Sequence, residues 1–267
     1  MFKLGVIGVG NMATAILGGI LKNNVIAPDD ILLCDKHPER HEDLYNLGIK
    51  KSADECEVVS SSKYVLLSIK PQGFAEMLQK IKPYCTENNV FISIAAGISA
   101  DYIKNALGYD AKVILVMPNT PVSLGFGTSA LANVSPTASE EFATALDIFS
   151  ACGEAVEIPA DKMNEVIPFN GSSPAFIYRI TQIFVERAVS FGFDRETAMK
   201  LFCSTLIGAS HMMTDSGIEL DQLIKMVCSK GGTTIAGLDA MAANGLENAL
   251  QQGIDDCVKR AYELGKK

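Results

Sequence analysis

Three small residues near the start of the chain have a spacing that suits the binding of phosphate. Gly8, Gly10 and Ala13 follow a short apolar run and precede a second one, which predicts a turn from a strand into a helix. Gly8 allows the tight turn, Gly10 lets the backbone approach a pyrophosphate, and Ala13 lets the helix pack on the strand. The helical N–H groups from Asn11 and Met12 onward would then face the phosphates. This context predicts dinucleotide binding, and the alternative is a purely structural strand, turn and helix.

An acidic residue follows at the end of the next predicted strand. The apolar run 31–35 ends in Asp35, at the position where a dinucleotide-binding fold reads the adenosine ribose. A carboxylate there can accept a hydrogen bond from the ribose 2′-hydroxyl, which favours NAD. Lys36, His37 and Arg40 follow at once and can pair with a 2′-phosphate, which favours NADP. The sequence leaves both NADH and NADPH open, and the same residues also fit an ordinary polar turn.

The first part of the chain alternates predicted strands with predicted helices. Apolar runs at 63–70, 90–97 and 112–117 indicate further strands of the same sheet. Such alternation predicts a mostly parallel sheet that binds its ligands beyond the carboxyl ends of the strands. The residues expected along that edge are Gly8, Lys70 with Pro71, Ala95 and Asn119. The remaining elements expected here are antiparallel or edge strands at 125–131 and 155–158 and a helix at 137–151.

Beyond about residue 159 every stretch with a clear period is helical. The apolar residues with helical spacing in the first of these helices are Ile177, Ile180, Phe184, Ala188 and Phe191. This helix is so apolar that we expect it to be buried on more than one side, partly by a second subunit. Asp194 is expected to cap the next helix. Shorter helices are expected at 219–228, 234–243 and 245–264. The fold class predicted is therefore an α/β Rossmann-like dinucleotide-binding domain at 1–159 and an all-α dimerisation domain at 160–267.

Two glycine-rich segments lie in the helical part, at 170–175 and 229–237. The second reads Ser-Lys-Gly-Gly-Thr-Thr-Ile-Ala-Gly and precedes a predicted helix. Its successive backbone N–H groups and two hydroxyls suit the binding of a carboxylate. An ordinary capped loop, with Thr233 or Thr234 as the N-cap, explains the same pattern equally well.

Composition excludes several other classes of protein. The net charge of −8 argues against a general nucleic-acid binder, and no apolar run reaches the roughly 18 to 20 residues of a membrane span. We expect no signal peptide and, from seven scattered cysteines without a C-x-x-C pair, neither a zinc site nor a disulfide framework. A cytoplasmic protein without a metal is expected. No acid–base constellation stands out, which suits an enzyme that uses the hydride chemistry of its cofactor.

These motifs together resemble the pyrroline-5-carboxylate reductase family along essentially the whole chain. The segments that carry the resemblance are 8–13, 70–71, 117–121, 170–175 and 231–237, of which the last is the most specific. The resemblance implies hydride transfer from NADPH or NADH to the imine carbon of a cyclic imino acid. The product would be L-proline, and the reaction would be the last step of proline biosynthesis. The resemblance also implies a homodimer with interlocking helical domains, often assembled further into a decamer.

The resemblance also assigns roles to residues in the second glycine-rich loop. Gly231, Gly232 and Thr233 would hold the substrate carboxylate through backbone donors, with Ser229 in the same loop. Thr234 would be the catalytic residue, with its hydroxyl on the ring nitrogen of the substrate. The residues implied to line the nicotinamide side of the cofactor site are Lys70, Ala95 and Asn119.

Three residues depart from the usual pattern of the family. Asn170 and Ser173 replace a serine and a glycine, and Lys230 replaces a proline. Ser173 adds a side chain where a glycine is free to adopt an unusual φ. The alternatives are a paralogous reductase of another small cyclic imine, a dehydrogenase of β-hydroxy acids, and a dinucleotide sensor without turnover. The dehydrogenase would require a catalytic lysine on a helix, and the sensor would have no use for the loop at 231–234.

Overall fold

The computed structural model describes residues 1–134 and 136–265. Their packing divides the chain into two compact units. The first unit contains Met1–Pro174 and the C-terminal residues from Cys257 onward, and the second contains Ala175–Asp256. The boundary between domains after residue 159 stays a prediction.

Within the described residues, one eight-stranded sheet forms the centre of the first unit. Its strands are β1 (Phe2–Ile7), β2 (Ile31–Cys34), β3 (Lys50–Lys51), β4 (Ser62–Leu67), β5 (Val90–Ser93), β6 (Lys112–Pro118), β7 (Gly127–Val134) and β8 (Gly153–Glu157). They lie in the order β3-β2-β1-β4-β5-β6-β7-β8, and the first six are parallel. β7 is antiparallel to β6, and the edge strand β8 is parallel to β7. The mostly parallel sheet and its antiparallel strand are therefore confirmed.

Helices cover both faces of this sheet. They are α1 (Asn11–Lys22), α2 (Glu42–Asn46), α3 (Glu55–Ser61), α4 (Phe74–Ile81), α5 (Ala100–Leu107) and α6 (Ser139–Ser150). Ile16 of α1 and Phe149 of α6 are fully buried in the apolar cluster of one face. Phe74 of α4 and Ile103 of α5 are fully buried in the cluster of the other face. Because both faces are covered, the central strands have the nearly continuous apolar sequences of a parallel sheet.

Two central strands end earlier than the apolar runs that predicted them. β4 ends at Leu67 and β5 ends at Ser93. After β4, Pro71 begins a 3₁₀ turn, and a proline cannot continue a central strand. After β5, Gly97 adopts a φ of +78°, which turns the chain away from the sheet. The residues beyond these two strands are therefore free to line a site at the edge of the sheet.

The second unit is helical, as predicted. The helices beyond the sheet are α7 (Ser173–Ser190), α8 (Arg195–Asp215), α9 (Leu220–Val227), α10 (Thr233–Ala243) and α11 (Leu246–Leu264). Asp194 caps α8 as expected, because its Oδ1 accepts a hydrogen bond of 2.8 Å from the Thr197 N–H. No helix in the described part of the chain has the length and hydropathy that crossing a bilayer requires.

The apolar stripe of α7 is largely exposed within a single chain, so its cover by a second subunit stays a prediction. Ile177 is 46% exposed, Phe184 43% and Phe191 67%. On the next helix, Leu201 and Ile207 are exposed by 59% and 63%. The periodicity predicted the helices correctly, but α7 and α8 bring more apolar surface than the second unit covers. An exposed apolar surface of this extent is typical of a binding interface between proteins.

The loop that opens α7 has an ordinary backbone at the position where the family usually has a glycine. Ser173 is the first helical residue, and its φ is not positive. Its hydroxyl donates to the carbonyl oxygens of Phe169, at 2.9 Å, and Asn170, at 3.2 Å. The serine therefore fits this position without an unusual φ.

Candidate active site

The glycine turn after β1 has the geometry that its sequence predicted. Gly8 has a φ of +87°, and its N–H donates to the Cys34 carbonyl at 2.9 Å. A Cβ at this position would lie 2.8 Å from the Ser68 carbonyl oxygen and 2.6 Å from a methyl carbon of Ile69. Both the backbone conformation and the close approach of the 68–69 segment therefore require glycine here.

Gly10 leaves the start of α1 open. It is the N-cap of the helix, no side chain caps the helix, and its first turn contains no acidic residue. A Cβ built on Gly10 would meet nothing within 4 Å, so a ligand can reach the backbone. Asn11 and Met12 begin the helix, while Ala13 is fully buried against the sheet. This uncapped helix start fits the phosphates of a dinucleotide.

Asp35 lies directly beyond β2 and bonds to the glycine turn. Its Oδ2 accepts the N–H of Val9 at 2.7 Å, and its Oδ1 accepts the N–H of His37 at 2.7 Å. His41 lies 3.6 Å from Oδ1 through its Nε2. Burial opposes ionisation of the carboxyl group, but the two backbone hydrogen bonds and His41 hold the pKa of Asp35 below its ordinary value. The group is therefore a carboxylate at neutral pH.

These residues line one cavity of about 560 Å³ at the carboxyl ends of β1, β2 and β4. The predicted cofactor residues in its lining are Gly8, Gly10, Asp35, Lys36 and Lys70. Pro71, which follows Lys70, is the first residue of the 3₁₀ turn beyond β4. Ile69 and Met77 add apolar surface. They could not be predicted as site residues, because loop and helix residues of this kind carry no motif. Burial raises the pKa of the neighbouring Cys34 thiol to about 12, so this thiol stays protonated.

Ala95 lies at a different cavity, of about 400 Å³, beyond the ends of β5 and β6. Met117, Asn164 and Tyr262 also line it. The Tyr262 hydroxyl donates to Glu165 Oε1 at 2.6 Å, and this hydrogen bond lowers the pKa of Glu165. Of the residues predicted at the sheet edge, Ala95 is thus the one placed beside this second cavity.

Asn119 is held in a buried hydrogen-bond network beyond β6. Its Oδ1 accepts the N–H of Thr128 at 2.9 Å, and its Nδ2 donates to Thr128 Oγ1 at 2.8 Å and to Asn170 Oδ1 at 3.3 Å. Asn170 Oδ1 also accepts from the Thr128 hydroxyl, and its Nδ2 donates to the Met117 carbonyl. The amide of Asn119 is therefore engaged within the protein. These partners carry no local sequence signal, because Thr128 and Asn170 are 9 and 51 residues away from Asn119.

The second glycine-rich loop begins α10 in the helical unit. Gly231 has a φ of +71°, and Gly232, rather than Thr233 or Thr234, is the N-cap. The expectation of a threonine cap is therefore wrong, because both threonines already have helical backbones. No side chain caps this helix start, and the Gly232 N–H donates to the Ser229 carbonyl at 2.9 Å. The start of α10 therefore offers backbone donors to an anion.

Two family models match separate parts of the chain. The model described as NADP oxidoreductase coenzyme F420-dependent matches residues 3–97. The model described as pyrroline-5-carboxylate reductase dimerisation matches residues 160–264. The first match includes the glycine turn and Asp35, and the second includes the loop before α10.

Relatives and solved structures agree with these models over the full length. A pyrroline-5-carboxylate reductase of Methanosarcina acetivorans is 34% identical over 99% of this chain and 98% of its own, and that of Staphylococcus haemolyticus is 35% identical with the same coverage. The Coxiella burnetii reductase structure has a TM-score of 0.91 at 26% identity and covers 100% of this chain and 99% of its own. The Plasmodium falciparum structure, which has NADP bound, has a TM-score of 0.88 at 25% identity. It covers 99% of this chain and 98% of its own. The chain therefore belongs to the pyrroline-5-carboxylate reductase family.

Proposed function

We propose that this protein reduces the C=N bond of L-1-pyrroline-5-carboxylate and so forms L-proline, with NADPH or NADH as the cofactor. The observation that carries this proposal is the full-length similarity to reductases of that name. The uncapped start of α1 and the uncapped start of α10 support it, because the reaction requires one site for the cofactor phosphates and one for the substrate carboxylate. The reaction is the last step of proline biosynthesis.

The cofactor residues belong to the first unit. When bound, NAD(P)H supplies the hydride that reduces the imine carbon. The N–H groups at the start of α1, from Asn11 and Met12, hold its phosphates beside Gly8 and Gly10. Asp35, with Lys36 next to it, binds the adenosine ribose. The match of residues 3–97 to the NADP oxidoreductase model supports this role for the first unit, and the NADP bound to the Plasmodium falciparum relative supports the class of cofactor.

The nicotinamide side is assigned to residues beyond β4, β5 and β6. This side is lined by Lys70 and Pro71, which follow β4, and by Ala95, which follows β5. Ligands of a parallel sheet bind beyond the carboxyl ends of its strands. Asn119 contributes by fixing the backbone beyond β6, because its amide is already bonded to Thr128 and Asn170.

The loop before α10 binds the substrate. The backbone N–H groups of Gly231 and Thr233 hold the carboxylate. The Gly232 N–H, which the resemblance also assigns to the carboxylate, instead donates to the Ser229 carbonyl and so shapes the loop. The Thr234 hydroxyl bonds to the ring nitrogen, where it orients the imine or passes a proton to it. An iminium carbon already attracts a hydride, so orientation supplies most of the catalysis and a strong acid or base is not required.

The active form is a homodimer whose helical units pack together, with a decamer as the further assembly. The exposed apolar side chains of α7 and α8 and the match to a dimerisation model support the dimer. The helical domain begins at residue 160, where that match begins. Cytoplasmic location is part of the proposal, because all seven cysteines are free thiols, as in a reducing compartment.

The test is a steady-state assay with pyrroline-5-carboxylate and NADH or NADPH, followed by identification of the product. We expect nicotinamide oxidation and one L-proline for each cofactor oxidised. Parallel assays contain other small cyclic imines with the reduced cofactor, or β-hydroxy acids with the oxidised cofactor. Faster turnover of one of these compounds would contradict the proposed substrate, and cofactor binding without turnover of any would indicate a sensor.

A further inference from the structure

Asp35 is held at a fixed position beside the phosphate turn. Both carboxylate oxygens accept backbone hydrogen bonds of 2.7 Å, from Val9 between the two glycines and from His37. The side chain is only 17% exposed and lines the same cavity as Gly8 and Gly10. Because each carboxylate oxygen has a second lone pair, Asp35 can still accept hydrogen bonds from two hydroxyl groups of a ligand.

The negative charge at this position is permanent at neutral pH. Burial works against it, but the hydrogen bonds from Val9 and His37 and the proximity of His41 keep the pKa of Asp35 below its ordinary value. A phosphate group in contact with Asp35 would place two like charges together in a partly buried site. A ribose with free hydroxyls would instead form charge-assisted hydrogen bonds there.

The cations around the cavity do not offset this charge. Among the described residues, its lining contains three lysines and three carboxylates, which are Lys36, Lys70, Lys80, Asp35, Glu55 and Glu76. Lys80 is paired with Glu55, and His37 faces Glu39 at 3.3 Å. Lys36 and Arg40 are exposed, and Arg40 does not line the cavity. A flexible exposed cation contributes little to an ion pair. The cavity therefore has no surplus of positive charge for a 2′-phosphate.

We propose that Asp35 is a specificity residue that makes NADH, rather than NADPH, the preferred cofactor of this protein. The inference rests on the proposed function only in that the cavity binds a nicotinamide dinucleotide. In this arrangement the carboxylate accepts the ribose hydroxyls of NADH and repels the 2′-phosphate of NADPH. The NADP seen in the Plasmodium falciparum relative belongs to that protein.

The test is equilibrium binding of NADH and NADPH to the full chain without any imine. Nicotinamide fluorescence gives both Kd values, and the absence of tryptophan removes one source of background emission. We expect the wild type to bind NADH at least about tenfold more tightly than NADPH, as hydrogen bonds to a charged group imply. Asp35→Asn removes the charge and keeps an acceptor for Val9, and we expect it to bind NADPH about tenfold more tightly than the wild type does.

Asp43→Asn is the matched control, because it removes the same charge from an exposed position of α2 outside the cavity. We expect it to leave both Kd values unchanged. Equal or tighter binding of NADPH by the wild type would overturn the inference, even if Asp35→Asn failed to fold. That result would leave proline formation intact, so it differs from a failure of the proposed function. Binding of neither nucleotide would overturn both.

Discussion

At the residue scale, the proposed chemistry depends on the hydroxyl of Thr234 and on the backbone of Thr233. Thr234→Ala removes the group assigned to the ring nitrogen and keeps the helix start of α10. We expect kcat/KM for the imine to fall by about 100-fold or more, as for the loss of a positioned proton donor. The Kd of the cofactor should stay unchanged. Steady-state kinetics and nicotinamide fluorescence measure the two effects.

Thr233→Ala is the control for this prediction, since Thr233 is assigned a role only through its N–H. Its kcat/KM should stay within about threefold of the wild type. Full turnover by Thr234→Ala, or an equal loss in both variants, would contradict the role of the Thr234 hydroxyl.

The network around Asn170 leads to a prediction about stability. Asn170→Ala leaves the Met117 carbonyl without the amide donor and removes an acceptor from Thr128 and Asn119. Because Asn170 is buried, we expect the free energy of unfolding to fall by about 1–3 kcal/mol. Asn105→Ala, at an exposed position of α5, should change it by less than about 0.5 kcal/mol. Denaturant unfolding of both variants measures these changes. If Asn170→Ala were as stable as the wild type, the hydrogen-bond network would contribute nothing to the free energy of unfolding.

Residues with a motif were predictable, and residues that meet only in the fold were not. Gly8, Gly10 and Asp35 have a fixed spacing in one strand–turn–helix–strand unit, so local sequence was sufficient to place them in one cavity. Thr128 and Asn170 meet Asn119 through the folding of distant segments, and short-range patterns contain no information about such contacts.

At the scale of elements, α6 is attached to β6 through the buried carboxylate of Glu141. Glu141 accepts from Lys112 Nζ at 2.8 Å and from the Ala138 N–H at 3.1 Å. Burial opposes its ionisation, but these hydrogen bonds prevail and hold the pKa of Glu141 below its ordinary value. A folded-state pKa below the unfolded value gives stability that is present above the unfolded pKa and is lost as the pH falls through the folded pKa.

Glu141→Gln should therefore destabilise the protein by about 1 kcal/mol at pH 7, since the pair is partly screened by solvent. The difference from the wild type should shrink as the pH falls below about 4. Thermal unfolding over this pH range tests the expectation. Glu140→Gln, at an exposed neighbouring position, serves as the control. A difference that persists at low pH would contradict the ionic origin of the effect.

The loop before α10 leads to a second prediction at this scale. A Cβ at Gly232 would lie 2.3 Å from Ser229 Oγ and 3.0 Å from the Ser229 carbonyl oxygen, so Gly232→Ala requires the Ser229 hydroxyl to rotate away and its carbonyl to shift by a few tenths of an ångström. We expect KM for the imine to rise about tenfold or more with an unchanged Kd for the cofactor. Gly253→Ala in α11, where a Cβ meets nothing within 4 Å, should leave both constants unchanged. An unchanged KM in Gly232→Ala would remove this loop from the substrate site.

Most helices and strands could be predicted from the periodicity of apolar residues and from the residues that begin or end such elements. Asp194 predicted the start of α8, and the 3.6-residue period predicted the last three helices to within one residue. β3 and α3 were not predicted, because a two-residue strand and a seven-residue helix are too short to show a period.

At the scale of the whole molecule, the exposed apolar side chains of α7 and α8 predict dependence on a second subunit. Ile207, on α8, is 63% exposed in one chain. Ile207→Arg should place a charge in the interface and convert the dimer to monomers, with loss of turnover. Leu47→Arg, at a position of the first unit that is 58% exposed, should stay dimeric. Sedimentation measures the assembly, and a dimeric, active Ile207→Arg would contradict an interface at this position.

The α/β part and the helical part of this molecule could be predicted from the sequence. Which helix faces stay exposed to solvent within one subunit could not. A periodic apolar stripe indicates that a helix has a partner, and it gives no information on whether that partner belongs to the same chain. Ile177 and Phe184 show the distinction, since both lie in a correctly predicted helix and are exposed within one subunit.

The most direct test of the central claim follows the hydride itself. Cofactor carrying deuterium at nicotinamide C4, labelled on each face in separate preparations, is mixed with pyrroline-5-carboxylate and the protein. The proposed hydride transfer predicts that one of the two labels appears in L-proline, at the ring carbon that was the imine carbon. Proline without deuterium from either preparation, or no proline from protein that binds the cofactor, would contradict it.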